Sequence, residues 1–151
     1  MNRFSIRALC VLMALAFSLP AMADELADKA VGQCNKAAAL WKSAGRDKAI
    51  ATLADPANGF KDKDVVVYVQ GLDGVMIHHP WNPGFIGKDL KGMQDPDGKL
   101  WVQEMIKTAK EKGSGWVEYK FINANTKKIE PRAAYVERVD DVLVGCAISK
   151  N

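Results

Sequence analysis

Residues 65–79 read VVVYVQGLDGVMIHH, and the fold turns on how that stretch divides. Val65, Val66, Val67, Tyr68 and Val69 form an unbroken run of β-branched and aromatic side chains, which suits a strand covered on both faces. Gly71-Leu72-Asp73-Gly74 supplies turn chemistry, and Val75 to His79 resumes an extended pattern. Two such runs around a glycine-bounded turn predict a β-hairpin.

Upstream of the hairpin the period changes. Leu26, Ala30, Val31, Ala37, Ala38, Leu40, Trp41, Ile50 and Leu53 recur near helical spacing between lysines and aspartates, so residues 25–54 are predicted helical. Ser43-Ala44-Gly45 ends one helix before a second begins, and Asp55-Pro56-Ala57-Asn58-Gly59 is a turn. Downstream, residues 80–98 are rich in proline and glycine and read as a loop. Helical spacing returns over residues 100–112 and stops at Gly113-Ser114-Gly115. Three further strand-like runs follow at 116–122, 133–139 and 142–149, with turns at 123–128 and Asp140-Asp141. Helices set apart from hairpin-linked antiparallel strands predict an α+β fold.

The N-terminus has the layout of a secretory signal. Arg3 and Arg7 precede an apolar run at residues 8–19 (ALCVLMALAFSL), Pro20 follows, and Ala21-Met22-Ala23 offers the small residues that a signal peptidase needs. The run is short against the ~20 residues that span a bilayer. Residues 1–23 are therefore predicted to be a cleaved signal peptide, and residues 24–151 one soluble domain in the periplasm. Cleavage removes two of the 21 Lys and Arg residues, leaving 19 against 18 acids and a net charge of +1. No basic surface for nucleic acid is left to argue from. Cys10 departs with the signal, and the remaining pair, Cys34 and Cys146, is predicted to form a disulfide in an oxidising compartment.

Face parity bears on where a site could lie. On the last strand Val142, Val144, Cys146 and Ile148 share one side, with Leu143, Gly145 and Ala147 on the other. A Cys34–Cys146 bridge would set the N-terminal helix on the first side. The second side then either borders a small-molecule cavity or is covered by the helix at 100–112, with Gly145 and Ala147 accommodating Trp101. Both arrangements satisfy the pattern. Tyr119 and Phe121 alternate together on one strand, as do Ala133 and Tyr135 on another.

Recognisable reaction chemistry is sparse. Gly71-Leu72-Asp73-Gly74 lacks the first of the two aspartates that a haloacid dehalogenase phosphatase motif needs. His78 and His79 are neighbours on a strand, so they face opposite ways and cannot chelate one metal. Asp95-Pro96-Asp97-Gly98 begins like a calcium loop but lacks its later ligands. Arg132, beside Pro131, could present a guanidinium fork to a carboxylate. No catalytic set, metal site or cofactor is expected, and the chain is not read as an enzyme.

Taken in order, these pieces resemble the single Cache domains, extracellular small-molecule sensors related in fold to PAS domains. The resemblance runs through Leu72-Asp73-Gly74, His79-Pro80-x-Asn82-Pro83-x-x-Ile86-Gly87-Lys88-x-Leu90 and Asp95-x-Asp97-Gly98. It continues through Gly115-Trp116-Val117-x-Tyr119-Lys120, Pro131-Arg132-x-x-Tyr135-Val136 and Val144-Gly145-Cys146-x-Ile148. It implies a long N-terminal helix packed on one face of a five-stranded antiparallel sheet. A pocket on the other face would take a small organic acid such as acetate, propionate, lactate or pyruvate. The implied ligand-binding residues are His79, Tyr119, Phe121, Arg132 and Tyr135. Arg132 is off the parity of Tyr135, so the two share a pocket only if Pro131 introduces a bend or bulge. Phe121 stands where a tryptophan is expected, and Ile122-Asn123-Ala124-Asn125 replaces a more proline-rich turn. With no output module in view, the implied partner is a membrane receptor or sensor kinase. The alternative is an interaction module with a vestigial pocket, docking on a membrane sensor or redox partner.

Overall fold

The computed structural model describes residues 21–123 and 126–150. All but the last three residues of the predicted signal lie outside that range. Helix α1 (Ala21–Ala44) carries a stripe of small residues, and Ala30, Cys34 and Ala37 on it are fully buried. Small side chains at this spacing let the helix lie close on a sheet. Gly45 follows with φ 77°, a conformation glycine adopts readily, and helix α2 (Arg46–Ala54) starts there.

The sheet contains strands β1 (Val66–Gly71), β2 (Met76–His78), β3 (Ser114–Ile122), β4 (Ile129–Val139) and β5 (Val142–Ser149). They pair antiparallel in the order β2-β1-β5-β4-β3, so the hairpin at residues 65–79 forms one end of the sheet. Its two faces divide as the parity of the last strand requires. Val142, Val144, Cys146 and Ile148 pack under α1 with Val65, Val67 and Val69, while Leu143 and Ala147 lie on the opposite side. That opposite side is covered by helix α3 (Trp101–Lys112), through Trp101, Val102, Met105, Ile106 and Ala109.

Two expectations need correction. The bridge between Cys34 and Cys146 is not formed: both are free, buried thiols. Parity does bring them together, but Cys34 Sγ donates to the Val144 carbonyl oxygen at 3.3 Å. The neighbouring Cys146 thiol, followed by burial, pushes the Cys34 thiol far above its ordinary range.

The second concerns β4, which begins at Ile129 and runs through Pro131 rather than starting at residue 133. Proline suits this position because the Pro131 carbonyl faces β5 and accepts from Lys150 N–H, one residue past the end of that strand. The N–H that proline lacks would point the same way, at Lys150, so the ladder bond it forfeits lies past the end of β5.

Candidate functional site

Between the sheet and the start of α3 lies a cavity of about 490 Å³. Its floor includes Tyr68 on β1 and Ala147 on β5; Tyr119, Phe121 and Arg132 come from β3 and β4. Trp101 closes the α3 side, and the loop after β2 brings His79, Trp81, Asn82 and Phe85. Both arrangements allowed by the small residues of β5 are thus realised in part. Helix α3 covers much of the face, and the cavity opens beside Ala147. Gly145 makes room for a different ring from the one expected: a Cβ there would sit 2.1 Å from Tyr68 Cζ.

Strand register decides which side chains meet. Tyr119 is directly opposite Arg132 on the β3–β4 ladder, so both point into the cavity without any bulge at Pro131. Tyr135 is opposite Trp116 and Cys146 and packs in the α1-side core. It is therefore removed from the pocket set. Ring contact with Trp116, at 5.4 Å between centroids, replaces the ligand role it was given.

Arg132 is the cavity's cation within the sheet. Its Cζ lies 5.2 Å from the Phe121 ring centroid, and its nearest carboxylate, Glu130, is 3.6 Å away. The Glu130 carboxylate also accepts from Asn123 Nδ2 at 2.8 Å. Arg132 Nε is buried and makes no hydrogen bond to any described residue. Burial raises the pKa of Tyr119, and Arg132 draws it part of the way back. Tyr119 is therefore a neutral phenol at pH 7, next to a guanidinium.

His79 is both a loop anchor and a cavity wall. Its Nδ1 accepts from the backbone N–H groups of Trp81 (3.2 Å) and Asn82 (3.0 Å). Burial, then the neighbouring His78 and Arg132, lower its pKa to about 4. The ring is neutral, and with Nδ1 accepting, its proton must be on Nε2. His79 thus offers the site an N–H donor without adding charge. The ring stacks against Tyr68 at 6.2 Å and meets Phe85 edge-on at 5.8 Å. A register shift on β1–β2 puts His78 opposite Val69, a residue of the α1-side core, so the adjacent histidines serve different faces.

Asp95, singled out as the start of a possible calcium loop, uses its carboxylate differently. It accepts from the backbone N–H groups of Asp97, Lys99 and Lys120, tying the loop before α3 to β3.

An arginine with unmet donor capacity, a phenol and a neutral imidazole thus meet beside an aromatic cavity, and together they supply the kind of donors that a small anion requires. The sequence matches the Cache domain family across residues 22–142. The chain belongs to that family. Over 76 residues this Cache domain is 29% identical to methyl-accepting chemotaxis protein McpP of Pseudomonas putida, a stretch that is 50% of this chain but 14% of that receptor. Its fold is similar to the periplasmic sensor domain of a chemotaxis protein (26% identity, TM-score 0.63, covering 87% of this chain and 94% of that one). It is also similar to a Cache chemosensory domain solved for carboxylic acid recognition (22% identity, TM-score 0.63, covering 87% and 95%). A methyl-accepting chemotaxis protein from Vibrio parahaemolyticus aligns with TM-score 0.66 at 18% identity, covering 85% and 88%. The last two likenesses concern the fold. No helix among the described residues is long and apolar enough to cross a membrane.

Several cavity residues carried little signal in the sequence. Tyr68 sits in a run that is apolar on both faces, so alternation does not mark its side. Trp101 reads equally well as a core residue of an amphipathic helix. Trp81 and Asn82 lie in an irregular loop whose path is set by the His79 anchor, a contact no periodicity reveals.

Proposed function

We propose that this Cache domain binds a small organic acid outside the cytoplasm and presents the bound state to a signalling partner, with acetate, propionate, lactate and pyruvate as the simplest candidates. The observation that carries the reading is Arg132. A guanidinium carried on β4 opposite Tyr119, with a buried Nε that makes no hydrogen bond to any described residue, gains most from a carboxylate placed beside it. Tyr119 and His79 Nε2–H add neutral donors, which suits an acceptor-only group. Carboxylic acid recognition by a domain of the same fold supports the same choice. The signal-like N-terminus supports periplasmic delivery, and the receptor homology supports a membrane receptor or sensor kinase as the partner.

A thermal-denaturation screen of carboxylic acids against their uncharged amides tests the assignment. Ligand at 100 times its dissociation constant adds ~2.7 kcal/mol of stability. Acids should raise the melting temperature, amides should not, and Arg132→Ala should abolish the difference. Equal stabilisation by acid and amide would refute the carboxylate reading.

A further inference from the structure

The cavity is large for the acids named above. At ~30 Å³ per water molecule in the liquid, 490 Å³ corresponds to roughly sixteen waters. Part of that volume is the pocket's open mouth, but acetate has four heavy atoms and lactate six, so either still leaves room for a larger ligand. The walls also have a distinct chemistry. Six of the lining side chains are aromatic carbocycles or indoles: Tyr68, Trp81, Phe85, Trp101, Tyr119 and Phe121.

Not all of these rings are free to meet a ligand. Trp101 and Tyr119 stack on each other at 4.6 Å and are nearly fully buried. Phe121 lies against Arg132, and Phe85 is turned edge-on to His79. Trp81, 51% exposed, has Lys61 Nζ 4.8 Å from its ring centroid. The arrangement leaves ring surface beside a polar side formed by Arg132, Tyr119 and His79, with Lys63, Asn82 and Asn123 also on the lining. Lys63 is exposed, so Arg132 is the charged anchor set within the pocket, and such an anchor beside aromatic walls selects an amphipathic ligand with its charge at one end.

We infer that the preferred ligand is a monocarboxylate bearing an aromatic ring, of the phenylacetate or benzoate class, rather than a two- to four-carbon acid. This rests on the carboxylate reading of Arg132 and adds the identity of the ligand's other end. The carboxylate occupies the Arg132 corner and the ring lies among Phe85, Phe121 and Trp81. Offset or edge-on contacts with those rings add to the area the ligand buries.

Isothermal titration of the purified protein with phenylacetate, benzoate, propionate and acetate separates the two claims. Phenylacetate or benzoate should bind at least tenfold more tightly than propionate. Phe85→Ala, which removes a half-buried ring outside the sheet, should cut that preference to threefold or less. If propionate or acetate binds as tightly as the aryl acids, and binding is lost in Arg132→Ala, the aromatic inference is wrong and the carboxylate reading stands. If none of the four acids binds, and lactate and pyruvate do not bind either, the carboxylate reading fails and the inference falls with it.

Discussion

Arg132 concentrates the chemistry of the site in one side chain. Its charge is balanced only at 3.6 Å by Glu130, whose carboxylate is shared with Asn123. Removing a guanidinium that anchors a carboxylate costs on the order of 2–3 kcal/mol of binding, or roughly 30- to 140-fold. Arg132→Ala should lose that much affinity for any acid ligand by titration calorimetry, with a urea midpoint close to wild type. Arg132→Lys should recover only part of the affinity, since an ammonium cannot form the planar fork.

His79 gives a pH signature. Its pKa in the fold is about 4, against an ordinary value near 6.5, because the neutral ring is favoured where it is buried. A depressed histidine contributes stability that is complete above pH 6.5 and is lost as pH falls towards 4. His78, lowered by its own burial, acts in the same direction. Unfolding free energy from urea titrations should fall by up to ~3 kcal/mol between pH 6.5 and pH 4 on account of His79. His79→Asn keeps an acceptor near the Trp81 and Asn82 amides and should flatten that slope. An unchanged slope would mean that His79 is not the titrating group.

Gly145 is the third residue whose role can be stated physically. An alanine methyl would lie 2.1–2.5 Å from Cζ, Cε2 and the hydroxyl oxygen of Tyr68, whose ring is held in place by burial and by its hydroxyl contact with Met105 Sδ at 3.1 Å. A rigid, pinned ring yields little, so Gly145→Ala should destabilise by ~1–3 kcal/mol in urea and disturb the cavity floor.

At the scale of elements, local pattern was informative and cross-strand register was not. The break at Gly45, the hairpin at residues 65–79 and the two faces of β5 were all legible, because turn residues and period-2 alternation act within one segment. Tyr135 was misplaced because its face depends on how β4 aligns with β3, and a shift of one residue exchanges the two faces of a strand. That alignment pairs Tyr119 with Arg132, which also removes the need for a bulge at Pro131. Pro131 itself hid the first four residues of β4, since a proline argues against a strand unless the bond it forfeits falls at the margin of the ladder, as here past the end of β5.

Contact between α1 and β5 carries its own test. Cys34 and Cys146 are fully buried thiols with no accessible surface, so a thiol reagent should find neither in the folded protein. Both should react once the chain is denatured without reductant. Failure of either to react under those conditions would show that they are bridged.

At the scale of the whole molecule, one sheet separates two apolar layers with different tasks. The α1 side is packed with alanine, valine and cysteine and holds the domain together. The α3 side is packed around rings and leaves a cavity where that helix begins. The family resemblance could indicate such a pocket from sequence, but its volume and aromatic walls depend on side chains drawn from all five strands, the loop after β2 and the start of α3. The most direct test is a crystal structure of the protein with a stabilising carboxylic acid bound. The account predicts carboxylate oxygens within ~2.7–2.9 Å of the Arg132 guanidinium, with the rest of the ligand between Tyr68, Phe85 and Phe121. An acid bound elsewhere, or in the cavity with its carboxylate turned away from Arg132, would contradict it.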